Sequence, residues 1–154
     1  MAGTPLFVFG TLMDGDVQEV VLGAHLPTHA MEPAVIQGFR RVFVAGRTYP
    51  MLLPHSSGWV QGVLIHDLGQ AAFHRLQAYE GWEYRLEPVR VTTLHGHALR
   101  AVVFMSQTGI KPSRRSWSLP LWRLRHKRNF LRKAAHFMDH YPTQAALRRL
   151  RRSI

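Results

Sequence analysis

The stretch YEGWEYRLEPVRV (79–91) changes period in its middle, and its reading decides the fold. Just upstream, GQAAFHRLQAY (69–79) sets Ala72, Phe73 and Leu76 on one face at helical spacing, with Asp67 placed to accept a first-turn N–H. Gly81 supplies the left-handed residue on which helices end. Beyond it, EPVRVTTLHG (87–96) carries the β-branched residues of a strand. Glu80 therefore stands at a helix C-terminus. It is the first of three carboxylates, with Glu83 and Glu87, in eight residues of an otherwise basic chain.

Working outward, PLFVFGTL (5–12) is a short apolar run ending near a glycine, as a buried strand running into a loop would be. Asp14 is placed to cap a helix through residues 16–24, with Val17, Val20 and Val21 on one face. VIQGFRRVFVAGR (35–47), SGWVQGVLIHDL (57–68) and HALRAVVFMS (97–106) read as further strands, and His95, Gly96 and His97 as the turn before the last. Many strands and few helices predict an α+β domain with a strongly curved or closed sheet.

The 154 residues suffice for one domain with an enclosed pocket, and 46% hydrophobic content with 12 Gly and 9 Pro describes a turn-rich globular chain. No apolar run approaches the ~20 residues that span a bilayer. MAGTPLFVFGTLMDGD (1–16) lacks a basic leader region, so a cytoplasmic protein is the simplest reading. The absence of cysteine excludes disulfides, a thiolate nucleophile and cysteine-ligated metal. No G-x-S-x-G and no P-loop is present, which argues against serine hydrolysis and nucleotide hydrolysis.

The net charge of +11 is unevenly spread. Residues 1–110 hold seven Arg or Lys against eight Asp or Glu, whereas residues 111–154 hold 13 basic residues and one acid, Asp139. A division follows: a nearly neutral domain over 1–110 and a basic helical extension over 111–154. KPSRRSWSLP (111–120) reads as a connector. LWRLRHKRNFLRKAAHFMDHY (121–141) and QAALRRLRRS (144–153) read as two amphipathic helices separated by Pro142. Trp117, Trp122 and Phe130 interleave with the cations. That pattern suits contact with a polyanion or membrane surface, and equally helices docked through Leu124, Leu131, Phe137 and Met138. His136 and His140, four apart with Asp139 beside them, would face a metal only if a third ligand joined them, so no metal is assigned.

FVFGTL (7–12) resembles the FVYGTL or YGSL signature of the γ-glutamylcyclotransferase-like family, and YEGWEYRLEPVRV resembles its E-G-x-x-Y-x-R-x-x-V-x-V segment. Tyr49-Pro50 and Gln61-Gly62-Val63 fall where that family has similar residues, so the likeness spans about residues 5–107. The resemblance implies a small mixed β-barrel with flanking helices. It also implies a cofactor-independent cyclisation, in which the α-amine of a γ-glutamyl group attacks its own γ-carbonyl and releases 5-oxoproline and an amine. Glu80 corresponds to the family's acid/base. Phe9, Gly10, Thr11 and Leu12 correspond to the loop whose N–H groups hold the substrate carboxylate, and Tyr84 to the motif tyrosine. Two positions depart: Phe9 replaces the usual tyrosine, and Leu86 the usual arginine.

The residues alone can meet the demands of such chemistry. An attacking amine must lose a proton and the leaving nitrogen must gain one, so one carboxylate of raised pKa serves both steps. The helix C-terminus and desolvation beside Tyr79, Trp82 and Tyr84 would raise the pKa of Glu80. Gly10 would let backbone N–H groups face an anion. Glu83 and Glu87 read as surface charges. An alternative is a non-catalytic protein of the same fold, with a ligand pocket and a tail that binds nucleic acid or anionic membrane.

Overall fold

A computed structural model describes residues 3–140 of the chain, without the side chain of Trp82. Six strands, β1 (Leu6–Val8), β2 (Met31–Val44), β3 (Pro50–Ile65), β4 (Tyr84–Thr93), β5 (Ala98–Ser106) and β6 (Pro112–Ser116), run in the order β3-β1-β5-β4-β2-β6. A further pairing of β2 with β3 joins the ends of the first five. Those five thus close a mixed barrel: β1 is antiparallel to β3 through Phe7↔Leu64 and parallel to β5 at Leu6↔Val102. The turn expected at residues 95–97 is present, with Gly96 at φ 85°.

Closure puts successive side chains on opposite sides of one wall. Phe7, Ile36, Leu64, Val91 and Val103 come one from each barrel strand and share a single buried cluster, which fills the barrel. The alternate residues Leu6, Val8, Ile65 and Phe104 face outward, where helices cover them. β1 is buried on both faces, so its sequence is continuously apolar where an exposed strand would alternate.

α1 (Gly15–Leu22) begins where expected: Asp14 accepts from the N–H groups of Asp16 (3.0 Å) and Val17 (3.2 Å), and Gly23 ends the helix at φ 93°. α2 (Gln70–Glu80) is the predicted helix, but Asp67 does not cap it. Asp67 itself takes φ 55° and Gly69 occupies the cap position without a side-chain bond, because the chain must turn off β3 before the helix can start.

Residues 111–140, the described part of the segment after residue 110, are docked on the barrel. The stretch read as a connector contains β6, which pairs with β2 at Val42↔Ser116. A strand of sequence PSRRS carries no apolar alternation; only the free edge of β2 induces it. The single helix expected over 121–141 is two, α3 (Leu119–Arg125) and α4 (Lys127–Asp139), divided at His126, whose ring meets Phe43 edge-on at 5.9 Å. The expected helix in 144–153 lies outside the described residues. Trp122 is fully buried and Trp117 is 3% exposed, its indole N–H donating to the Thr48 carbonyl at 3.1 Å. Leu131 and Met138 are packed inward as a docked helix would have them, whereas Leu124 is 81% exposed.

Two side chains of this segment reach the cap of α1. Arg123 and Lys127 each approach Asp14 Oδ2 to 2.9 Å, with the Asp14 side chain 1% exposed. Burial pushes its pKa up, but bonds from Lys127, Arg123 and the Val17 N–H outweigh that and hold it below the ordinary value. No helix among the described residues is long and apolar enough to cross a membrane.

Candidate active site

A cavity of about 500 Å³ opens where the end of β1, the β2–β3 turn, the end of α2 and one face of α4 meet. Glu80, Phe9, Gly10, Thr11, Leu12 and Tyr84, the six residues singled out from sequence, all line it. The fold brings together two stretches 70 residues apart, because β1 runs into the cavity from the barrel and α2 ends against it.

The loop after β1 is shaped by close approach. A Cβ on Gly10 would sit 2.9 Å from Cγ and 3.1 Å from Cδ of Pro50, so no side chain fits between the loop and the start of β3. Gly10 has φ −126°, and the need for glycine is thus spatial. A single 3-10 turn, Thr11–Met13, follows, in which Met13 N–H bonds to Gly10 O and Asp14 N–H to Thr11 O. The N–H groups of Thr11 and Leu12 precede these and have no acceptor within the turn. Behind the loop, the half-buried Arg41 donates to the carbonyls of Phe9 (2.7 Å), Gln61 (3.0 Å) and Trp117 (3.2 Å). Its guanidinium lies 5.1 Å from the Trp117 ring centre. Desolvation lowers its pKa to about 10, so it stays a cation that ties the loop to the barrel and to the docked segment.

At the opposite wall, Gly81 takes φ 66° and ψ −157°, a region open essentially to glycine, which ends α2 and turns the chain through the 3-10 turn Gly81–Glu83 into β4. This turn puts Glu80 and Glu83 on the same cavity. Glu80 is half-buried, and its pKa is raised to about 8, mainly by desolvation and secondly by the charge of Glu83. The Trp82 side chain, expected to contribute, lies outside the described residues.

Glu83, read from sequence as a surface charge, instead lines the cavity and accepts from Tyr49 Oη at 2.9 Å. Glu87 does lie outside, paired with Arg85. Three phenols surround the acids: Tyr79, in contact with Thr11 Oγ1 at 3.3 Å, Tyr84, donating to Pro50 O at 3.4 Å, and Tyr49. Burial raises all three pKa values, that of Tyr49 to about 12, so each remains a protonated donor.

Sequence reading passed over the α4 wall, where Phe130, Lys133, Ala134 and Phe137 face the cavity, and Arg47 from the β2–β3 turn. The i, i+3, i+4, i+7 spacing of the α4 residues was a usable signal for a helix face, though not for what it covers. Leu86 packs in the layer under the helices. The rings of His136 and His140 lie 4.5 Å apart and tilted by 52°, and the Nδ1 of His140 is engaged by the His136 carbonyl at 2.7 Å, so that nitrogen is taken.

The family model described as "Gamma-glutamyl cyclotransferase, AIG2-like" matches residues 6–123. AIG2-like protein C of Arabidopsis thaliana is 29% identical over 140 residues, covering 90% of this chain and 80% of that protein. The solution structure of an Arabidopsis thaliana protein superposes with a TM-score of 0.60 at 25% identity, over 88% of this chain and 91% of the other. A solved gamma-glutamyl cyclotransferase superposes with a TM-score of 0.53 at 15% identity, over 68% and 66% of the two chains, a likeness of fold.

Proposed function

Because the chain belongs to the gamma-glutamyl cyclotransferase, AIG2-like family, we propose that it converts a γ-glutamyl amine or peptide into 5-oxoproline and a free amine. The observation that carries this reading is Glu80: a carboxyl with its pKa raised to about 8, lining one cavity with a loop whose Thr11 and Leu12 N–H groups have no acceptor within their turn. In the proposed mechanism the substrate α-carboxylate lies against the N–H groups of Thr11 and Leu12. Glu80 takes a proton from the α-ammonium, and the freed amine forms a C–N bond to the γ-carbonyl carbon. As the tetrahedral intermediate collapses, Glu80 gives its proton to the leaving nitrogen and the original amide C–N bond breaks; the ionised Glu80 then takes the second proton from the attacking nitrogen, which becomes the lactam N–H, and passes it to the departing amine or to solvent. A group whose pKa lies near 8 can both accept and return a proton near neutrality. Neither step calls on a cofactor.

A second reading keeps the cavity as a binding site without turnover and assigns polyanion or membrane contact to the basic segment. Phe9 and Leu86, which depart from the family motif, favour it. The experiment that separates the two is 5-oxoproline release from a panel of γ-glutamyl amines and peptides by the full chain and by Glu80→Gln. A loss of ~10²–10⁴-fold in the folded variant supports the first reading. Undiminished turnover by the variant rejects it.

A further inference from the structure

The cavity carries two cations that the proposed chemistry leaves unused. Lys133 projects from α4 beside Phe130, Ala134 and Phe137, and Arg47 enters from the β2–β3 turn. Neither forms an ion pair among the described residues, although Arg123 and Lys127 are engaged by Asp14, and Arg85 by Glu87. Both are exposed, which places them at the rim, while the acids lie deeper.

The charged residues of the wall are Arg47 and Lys133 against Glu80 and Glu83. Below about pH 8, where Glu80 holds a proton, the wall is net positive by one. A γ-glutamyl group is itself neutral, with one α-carboxylate and one α-ammonium, and the loop N–H groups and the two acids match these. The rim cations are then left for negative charge on the remainder of the substrate, which is the leaving amine.

We propose that Lys133, with Arg47, selects γ-glutamyl substrates whose leaving amine carries a carboxylate, and discriminates against neutral amines. This rests on the cyclotransferase reading and deepens it. Arg47 lies within the residues 6–123 that the family model matches, and Lys133, on α4, lies beyond them.

The probes are γ-glutamylglycine and γ-glutamylglycinamide, alike in size and different in one charge. Their leaving amines differ in basicity, so the readout is how the ratio of kcat/KM responds to substitution, not its absolute value. Lys133→Met should lower the glycine-to-glycinamide ratio roughly two- to fivefold, the range of an exposed ion pair, and Lys133→Glu should lower it further. Added salt should lower the wild-type ratio in the same direction, because charges at the rim are screened. Calorimetry of both probes with the full-length Glu80→Gln protein reads the same preference without turnover.

A ratio that neither substitution moves overturns the proposal while leaving the cyclotransferase reading intact. Equal losses on both probes would place Lys133 on the α-carboxylate and overturn it as well. If neither probe yields 5-oxoproline, the cyclotransferase reading falls and calorimetry decides: tighter binding of the glycine probe, abolished by adding Lys133→Glu, upholds the selectivity, and equal or absent binding refutes it.

Discussion

Glu80→Gln tests the electrostatics of the cavity through stability as well as rate. A carboxyl of ordinary pKa 4.5 when unfolded and about 8 when folded binds its proton more tightly in the native state. The sign follows from linkage: between pH 4.5 and 8 the native protein holds more protons than the unfolded chain, so stability falls as pH rises through that window and levels off above it. At ~1.4 kcal/mol for each factor of ten in proton affinity, the shift sets a ceiling of ~5 kcal/mol. The cavity is open at its rim, and water screening should hold the measured loss nearer ~2–3 kcal/mol. Glutamine keeps the shape and never ionises. The difference in urea unfolding free energy, wild type minus variant, should therefore decline with pH from 4.5 to 8 and then stay flat. A difference independent of pH would mean that Glu80 is an ordinary solvated carboxylate, and the acid/base reasoning would fail with it. In the wild-type protein kcat/KM should rise with pH through about 8 as Glu80 ionises.

Glu83→Gln removes the negative neighbour that helps to hold the proton on Glu80, so the acid limb of the pH–rate profile should move to lower pH; an unmoved limb would separate the two groups. Gly10→Ala drives a Cβ to 2.9 Å from the Pro50 ring; displacement of the loop should cost ~1–3 kcal/mol in thermal unfolding and more in turnover than in stability. Trp122→Ala opens a cavity under α3 and should cost ~3–5 kcal/mol. Trp122→Phe should cost markedly less, because the buried indole N–H it removes has no hydrogen-bond partner among the described residues. Cutting the chain after Gln107 removes β6, α3 and α4 together with Trp117 and Trp122, and the fragment should show no cooperative unfolding transition by circular dichroism.

The sequence by itself determined the elements whose signals are local. Asp14 caps α1 because a short acceptor precedes two free N–H groups, and α2 ends at Gly81 because glycine alone readily takes that backbone geometry. The same local grammar put Glu80 at a helix end, and the FVFGTL and YEGWEY stretches named the family, because the spacing of a motif survives in one dimension. Only the tertiary structure decided the rest. β6 exists because β2 offers a free edge, not because PSRRS favours a strand. Asp67, a plausible cap by position, is turned away by the path of the chain off β3. Glu83 was indistinguishable in sequence from Glu87, yet one faces the cavity and Tyr49 while the other faces Arg85 and solvent. Glu83 ends the 3-10 turn ahead of β4 while Glu87 lies within the strand, and which of them is enclosed is settled by how distant elements close around the cavity. The charge count behaved likewise: the cations of the C-terminal segment form one run in sequence, but packing sends Arg123 and Lys127 to Asp14 and Lys133 to the cavity rim, because a helix divides its residues by angle and only its neighbours give each face an environment.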